Sequence, residues 1–409
     1  MKWVVAGLAA LLGLGSGHAN RVQIHVSPVS SLADEPVHIR ATGLKPHALT
    51  TVRLSATDAN GERWHSGARF RADAHGVIDL DHAKALSGSY RGIWGMGLVA
   101  ELTAKAPPTG YRFGWGSRAT FRLVVGKATA RVERVYRSRP LRDELHTVAD
   151  SGFYGEYFAP ASGPAAPAVL LLGGSEGGLP VGPLSHFLAE RGFPTLALAY
   201  FRAPGLPATP ASIPLEYFAN ALRWLRAQPE VASRVAVIGV SLGTDPAELL
   251  GVHYPDLVQA VVASVPSNVS LCAGLLAPQD SGSMWTFEGK AVPCTSVFND
   301  PYPQDDPAAV IPVEAVKGPL FLVCGGLDHS WISCIYSYAI MDRLLAFHHP
   351  YQDALYAYPR ASHSVGSLLP YYPFAPRTVR VVADERGREN LWPKLLDFLS
   401  RGARGRGGT

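Results

Sequence analysis

Charge, sulfur and long apolar stretches are all scarce in this chain. Only 17% of its 409 residues are charged, and 37 basic against 33 acidic side chains leave a surplus of +4. So small and dispersed a surplus gives no basic face for nucleic acid or an anionic membrane. Arg401, Arg404 and Arg406 do cluster, but among glycines, and residues 402–409 read as a frayed, disordered tail. The four cysteines form no C-x-x-C pair, H-E-x-x-H is absent, and the adjacent His348 and His349 cannot present two ligands on one helix face. No metal and no cofactor are therefore expected. The apolar run Val4 to Leu14 is too short to span a bilayer.

That run has a different use. Lys2 precedes it, and small residues, Gly17 and Ala19, follow it at the two positions that specify cleavage. Residues 1–19 read as a secretory signal, so export to the periplasm or medium is expected. No cysteine follows the cleavage point, so a lipid-anchored form is not expected, and no stable membrane anchor is expected after signal removal. In an oxidising compartment four cysteines permit two bridges in three connectivities. Cys272 and Cys294 flank a loop-like segment and are the pair most expected to bridge.

With 47% apolar residues, the chain has material for sizeable cores and a length that favours two or three domains. Residues 20–127 alternate apolar and polar side chains in short runs such as Val22–Val26, Val37–Arg40, Val52–Ser55 and Thr120–Val125, with turn chemistry at Asn60-Gly61 and around Gly76. This predicts an immunoglobulin-like β-sandwich. Residues 128–149, charged and irregular, read as a connecting segment. From 150 to 401 short apolar runs alternate with helical stretches. The runs are Val169–Leu172, Pro194–Tyr200, Val235–Val240, Leu257–Ser264, Pro319–Cys324 and Ala354–Tyr358; the helices include Leu184–Glu190, Leu215–Arg226 and Ser337–Phe347. Repeated βα units imply a parallel sheet covered on both faces. Tyr154–Phe158 suits an antiparallel lead-in strand. The stretch from Cys272 to Ile311 lacks periodicity and is expected to form a lid over the sheet's C-terminal edge.

Within that pattern, Gly239-Val-Ser241-Leu-Gly243 ends the run Val235–Val240 and is followed at once by a helix opening at Thr244-Asp-Pro. Strand, sharp turn and helix are the context in which G-x-S-x-G exposes a serine hydroxyl above a sheet. A second match, Gly173-Gly-Ser175-Glu-Gly177, also follows a strand but opens no helix, and reads as a loop. Glycine-rich turns produce such matches by chance; only Ser241 has the full context, and it is the expected nucleophile. A serine hydroxyl needs a base, and the base an orienting carboxylate. Asp328 stands just past the run Pro319–Cys324, and His363 stands past Ala354–Tyr358, in the order acid then histidine. A helix N-cap is the bland alternative for Asp328. His329, as its neighbour, points elsewhere. The oxyanion donors are expected to be the backbone N–H of Leu242 and one from the 174–177 loop, Gly174 or Ser175. Glu176 in that loop reads as a solvated carboxylate rather than a general base.

These features together resemble the acyl-CoA thioesterase/bile acid-CoA:amino acid N-acyltransferase family. The likeness rests on Gly88-Ser-Tyr-Arg-Gly-Ile-Trp-Gly-Met-Gly-Leu98 in the first domain. In the second it rests on the Ser241 elbow, Trp285-Thr-Phe-Glu-Gly-Lys290, Ile311-Pro-Val-Glu314, Asp328-His-Ser-Trp331, and Ser362-His363 followed by Pro370-Tyr-Tyr-Pro373. The resemblance implies a β-sandwich packed on an α/β-hydrolase domain, a Ser241–Asp328–His363 triad and cleavage of acyl thioesters. It also implies that transfer to amino acids goes with cysteine at the nucleophile, where this chain has serine. The chain departs from the family at Gly243-Thr-Asp-Pro246, at Gly326-Leu327 before the acid, and at Ser362. The expected function is hydrolysis of acyl-CoA-type thioesters or related carboxylic esters, acting on a small molecule. The alternatives are acyl transfer to an amine, and an exported binding protein that keeps the fold without turnover.

Overall fold

The computed structural model describes residues 21–104, 116–180, 182–372 and 382–402. The expected signal segment and residues 403–409 of the expected tail lie outside them. In Leu49–Thr57 and Arg63–Arg71 every second residue faces inward, giving Val52, Leu54, Ala56, Trp64, Ala68 and Phe70 to the interior. That period is what an antiparallel sheet with one wet face requires. These strands sit in a six-stranded sheet ordered Ser30–Leu32, Ala128–Val135, Arg118–Val125, Leu49–Thr57, Arg63–Arg71, Ser87–Gly88. A three-stranded sheet of Gln23–Ser27, His38–Thr42 and Ile78–Asp79 shares its apolar core. The first domain is the β-sandwich that the alternation predicts.

The segment 128–149 is not an irregular connection. Ala128–Val135 is a full strand of the sandwich, paired antiparallel with Arg118–Val125 over eight residues through the turn at Gly126 and Lys127. A buried charge hid it: the Arg134 side chain is wholly enclosed, donating to Ser31 Oγ and to the carbonyls of Ala33 and Glu35. An arginine at an inward position breaks the apolar period that marks a strand. Leu141–His146 (β1) then already belongs to the second domain as the edge strand of its sheet.

That sheet continues with Tyr154–Pro160 (β2), Ala166–Leu172 (β3), Thr195–Ala199 (β4), Val231–Val240 (β5), Ala260–Ser264 (β6), Leu320–Gly325 (β7) and Ala354–Tyr358 (β8). Its spatial order is β1-β2-β4-β3-β5-β6-β7-β8. β1 and β2 are antiparallel to their neighbours, and the strands from β4 through β8 run parallel. The parallel strands β3, β4, β5, β6 and β7 are nearly continuous apolar runs because helices cover both faces. Those helices include Leu184–Glu190 (α1), Leu215–Arg226 (α2), Thr244–His253 (α3), Ser333–Ala346 (α4) and Val382–Gly402 (α5). In α2 the buried residues Leu215, Phe218, Ala219, Leu222 and Leu225 recur at helical spacing. Both cysteine pairs are bridged, Cys272 to Cys294 and Cys324 in β7 to Cys334 in α4.

Several contacts fasten the sandwich to this domain, among them Trp94 Nε1 donating to Glu389 and Arg386 to the Ile93 carbonyl. The buried Asp34 carboxylate accepts Arg191 Nε and Nη2, each at 2.7 Å, and Trp392 Nε1 at 2.8 Å. The ring of Tyr136 packs edge-on against Phe187 and Tyr372. One apolar cluster consequently runs from the sandwich interior to one face of the sheet. Among the described residues no helix is long and apolar enough to cross a membrane.

Candidate active site

β5 delivers Ser241 at its C-terminal end, and α3 follows directly after one 3-10 turn. The bend holds Ser241 at φ 55°, a left-handed conformation that costs a side-chain-bearing residue roughly 1–3 kcal/mol. Two glycines make the bend possible. A Cβ on Gly239 would stand 2.3 Å from the Gly243 carbonyl oxygen, and one on Gly243 would stand 2.4 Å from that of Gly173. Thr244 Oγ1 donates to the Ser241 carbonyl at 2.8 Å and closes the turn.

The other expected residues arrive at the same sheet edge. Asp328 follows β7, and His363 opens the short 3-10 turn after β8. His363 Nδ1 lies 2.7 Å from Asp328 Oδ2, and its Nε2 lies 3.0 Å from Ser241 Oγ. The Asp328 side chain is buried, with Oδ1 accepting the amides of Ser330 at 2.9 Å and Trp331 at 3.3 Å. Burial raises its pKa, but the hydrogen bond and charge of His363, with the Ser330 amide, outweigh that and leave it below the usual carboxylate value. His329 is exposed, away from this chain of contacts.

Several side chains that hold the site give no motif in the sequence. Asp384 and Arg388, from α5, clamp the histidine turn. Asp384 accepts the Ser362 amide and hydroxyl at 2.5 and 2.7 Å, and Arg388 Nη1 donates to the Ser364 carbonyl and Ser367 Oγ at 2.6 and 2.8 Å. Trp331 anchors the acid turn through its indole N–H on the Val265 carbonyl, with its ring 6.0 Å from that of His363. The Cys324–Cys334 bridge closes the loop that carries Asp328. The buried Tyr200 hydroxyl donates to the Gly173 carbonyl at 2.8 Å and holds the loop after β3. Of these, Tyr200, at the end of an apolar run, and Trp331, in the Asp328-His-Ser-Trp331 motif, carried a sequence signal.

That loop corrects one expectation. Gly174 N–H does not face the site as an oxyanion donor, because it donates to Glu176 Oε1 at 3.0 Å. A glutamate two residues on reaches back and caps it. Unlike Gly174, Ser175 and Leu242 have amides that no side chain among the described residues caps. A cavity of about 350 Å³ lies over Ser241, lined by the 173–176 loop, Pro180, Gly182, Pro183, Leu184, Val240, His363 and Leu369 among others. The expected lid takes no part in that lining. The 272–311 stretch turns Met284 and Trp285 into the core, with Trp285 against Tyr200 and Phe218, and its strand Trp285–Phe287 pairs with Ile213–Pro214. Its apolar residues anchor it beside the sheet rather than over the serine.

Strand order, elbow and the Ser–His–Asp arrangement define an α/β-hydrolase with an appended β-sandwich. Residues 34–120 match the acyl-CoA thioester hydrolase/BAAT N-terminal region, and residues 213–401 match the BAAT/acyl-CoA thioester hydrolase C-terminal region. The chain belongs to this family. It is 28% identical to human acyl-coenzyme A thioesterase 1, over 92% of this chain and 95% of that protein. It is also 28% identical to human bile acid-CoA:amino acid N-acyltransferase, over 93% of this chain and 97% of that one. Among solved structures, Pyrococcus horikoshii acylaminoacyl peptidase superposes with a TM-score of 0.45 at 12% identity, covering 92% of this chain and 61% of that one.

Proposed function

We propose that this protein is an exported serine hydrolase that cleaves acyl thioesters, or related carboxylic esters, through an acyl-enzyme on Ser241. The observation that carries the reading is the unbroken chain Ser241 Oγ, His363 Nε2, His363 Nδ1, Asp328 Oδ2 at the mouth of a cavity. His363 takes the proton as Ser241 Oγ attacks the acyl carbonyl, and the amides of Leu242 and Ser175 receive the oxyanion. The proton passes to the departing thiolate or alkoxide as the carbonyl re-forms. Water then enters, loses a proton to His363, attacks the acyl carbonyl and releases the acid. A thioester suits this machinery because sulfur leaves readily and donates little to the carbonyl. Two disulfides support an oxidising compartment, and the short apolar run at the N-terminus supports export.

Transfer to an amine is the second reading, favoured by the relatives that are N-acyltransferases. Both start from the same acyl-enzyme. A panel of acyl-CoAs, simple thioesters and activated esters, with and without glycine or taurine, separates them. Free acid as the main product supports hydrolysis; N-acyl amino acid as the main product makes it a transferase.

A further inference from the structure

Apart from the triad histidine, the side chains that line the cavity are Gly, Pro, Leu, Val and Ser, with one exception, Glu176. No lysine or arginine lines it among the described residues. Arg202 reaches the same loop from the exposed side, but donates to the Glu176 backbone carbonyl at 3.3 Å and lies over the ring of Phe201. The Glu176 carboxylate itself takes the Gly174 amide and, among the described residues, no other hydrogen bond, and it is exposed.

Two glycines let it lie close to the reacting centre. A methyl group on Gly173 would stand 2.6 Å from Oε1. One on Gly174 would stand 2.9 Å from Oε2 and 3.0 Å from Ser241 Cβ. Glu176 Oε2 and Ser241 Cβ thus both lie within about 3 Å of one point beside Gly174, which puts them no more than about 6 Å apart. A negative charge there opposes the oxyanion that forms on the attacked carbonyl, and repels any anion carried close to the scissile bond. A cation on the substrate turns the same charge into an attraction.

Building on the proposed hydrolysis, we infer that Glu176 is the specificity-determining residue of this site. The substrates it selects are thioesters or esters with an ammonium group within a few bonds of the scissile carbonyl, and it disfavours those with an anion there. The test uses thioesters of one acyl chain that differ only two carbons from sulfur: thiocholine (cationic), N-acetylcysteamine (neutral) and 2-mercaptoethanesulfonate (anionic). Released thiol is titrated directly, because all four cysteines are paired in disulfides. The wild-type protein should favour the cationic over the anionic thioester by about tenfold or more in kcat/KM. Glu176→Gln should bring that ratio to within about threefold of one, and Glu176→Asp should keep it. The ratio cancels any general loss from disturbing the Gly174 loop, so a purely structural role for Glu176 leaves it unmoved. A wild-type preference for the anionic thioester, or an unchanged ratio in Glu176→Gln, overturns the inference. Failure of the wild-type protein to cleave any of the thioesters instead overturns the hydrolase reading on which it rests.

Discussion

Replacing Asp328 by asparagine separates the orienting carboxylate from mere space-filling. The substitution keeps the shape and keeps an oxygen for the amides of Ser330 and Trp331, which lie 2.9 and 3.3 Å from Oδ1. It changes what faces His363 Nδ1 at 2.7 Å. An asparagine NH₂ there donates to Nδ1, so the neutral imidazole must carry its proton on Nε2. That proton points at Ser241 Oγ, 3.0 Å away, and the base can no longer accept the serine's proton. The expected loss is on the order of 10⁴ in kcat, about 5.5 kcal/mol of transition-state stabilisation. Removing a buried charge changes stability as well, so kcat is read on protein whose thermal transition shows it folded. Steady-state hydrolysis of a thioester by wild type and Asp328→Asn, with KM measured separately, gives the number. A loss below about tenfold would refute the reasoning, because His363 would then be oriented by something other than Asp328.

The remaining predictions follow from packing and titration. Ser175→Ala should retain kcat within about twofold, since only its backbone amide is assigned a role, whereas Gly174→Ala should lose about a hundredfold or more. Its methyl would press on Ser241 Cβ at 3.0 Å and on Glu176 at 2.9 Å. Asp245, wholly buried beneath the elbow, has its pKa pushed up to about 8 by desolvation, against the hydrogen bond from the Leu271 amide. The equally buried Glu248 is raised too. The folded state therefore holds protons that the unfolded chain releases above its carboxylate pKa near 4, so stability falls as pH rises from about 4 to 8. Each such proton sets a slope of about 1.4 kcal/mol per pH unit. Asp245→Asn should flatten this decline, and urea unfolding at pH 5 and pH 8 measures it. Arg191→Ala leaves the buried Asp34 without its bidentate partner, and should cost about 2–4 kcal/mol and loosen the sandwich from the hydrolase domain. Calorimetry should show a lowered or split transition.

The side chains that meet in the candidate site were legible because they sit where regular elements end. Ser241, Asp328 and His363 each follow a continuous apolar strand, and the order of those strands along the chain fixed which loops would meet. The β-sandwich was legible for a similar reason: Leu49–Thr57 and Arg63–Arg71 alternate cleanly because one face is wet. Charge in unexpected places hid the rest. Arg134, enclosed by carbonyls, concealed the strand Ala128–Val135 and put the domain boundary too early. Glu176 is the exposed loop residue it looked like, but its capping of the Gly174 amide, one of the two expected oxyanion donors, gave no sign in the sequence. Asp384 and Arg388 look like an ordinary helix surface in sequence, and their partners at Ser362 and Ser364 are set only by tertiary packing. The 272–311 stretch lacks period because a disulfide and a few aromatic anchors hold it in place of repeated hydrogen bonding.

The central claim is that Ser241, and not the second glycine-flanked serine, is the activated nucleophile. Labelling the folded protein with a fluorophosphonate, then digesting it and mapping the modified peptide by mass, tests this without any assumption about the natural substrate. A single adduct on Ser241, abolished in both Ser241→Ala and His363→Ala, is the result expected. An adduct on Ser175, or no adduct on folded wild-type protein, would contradict it.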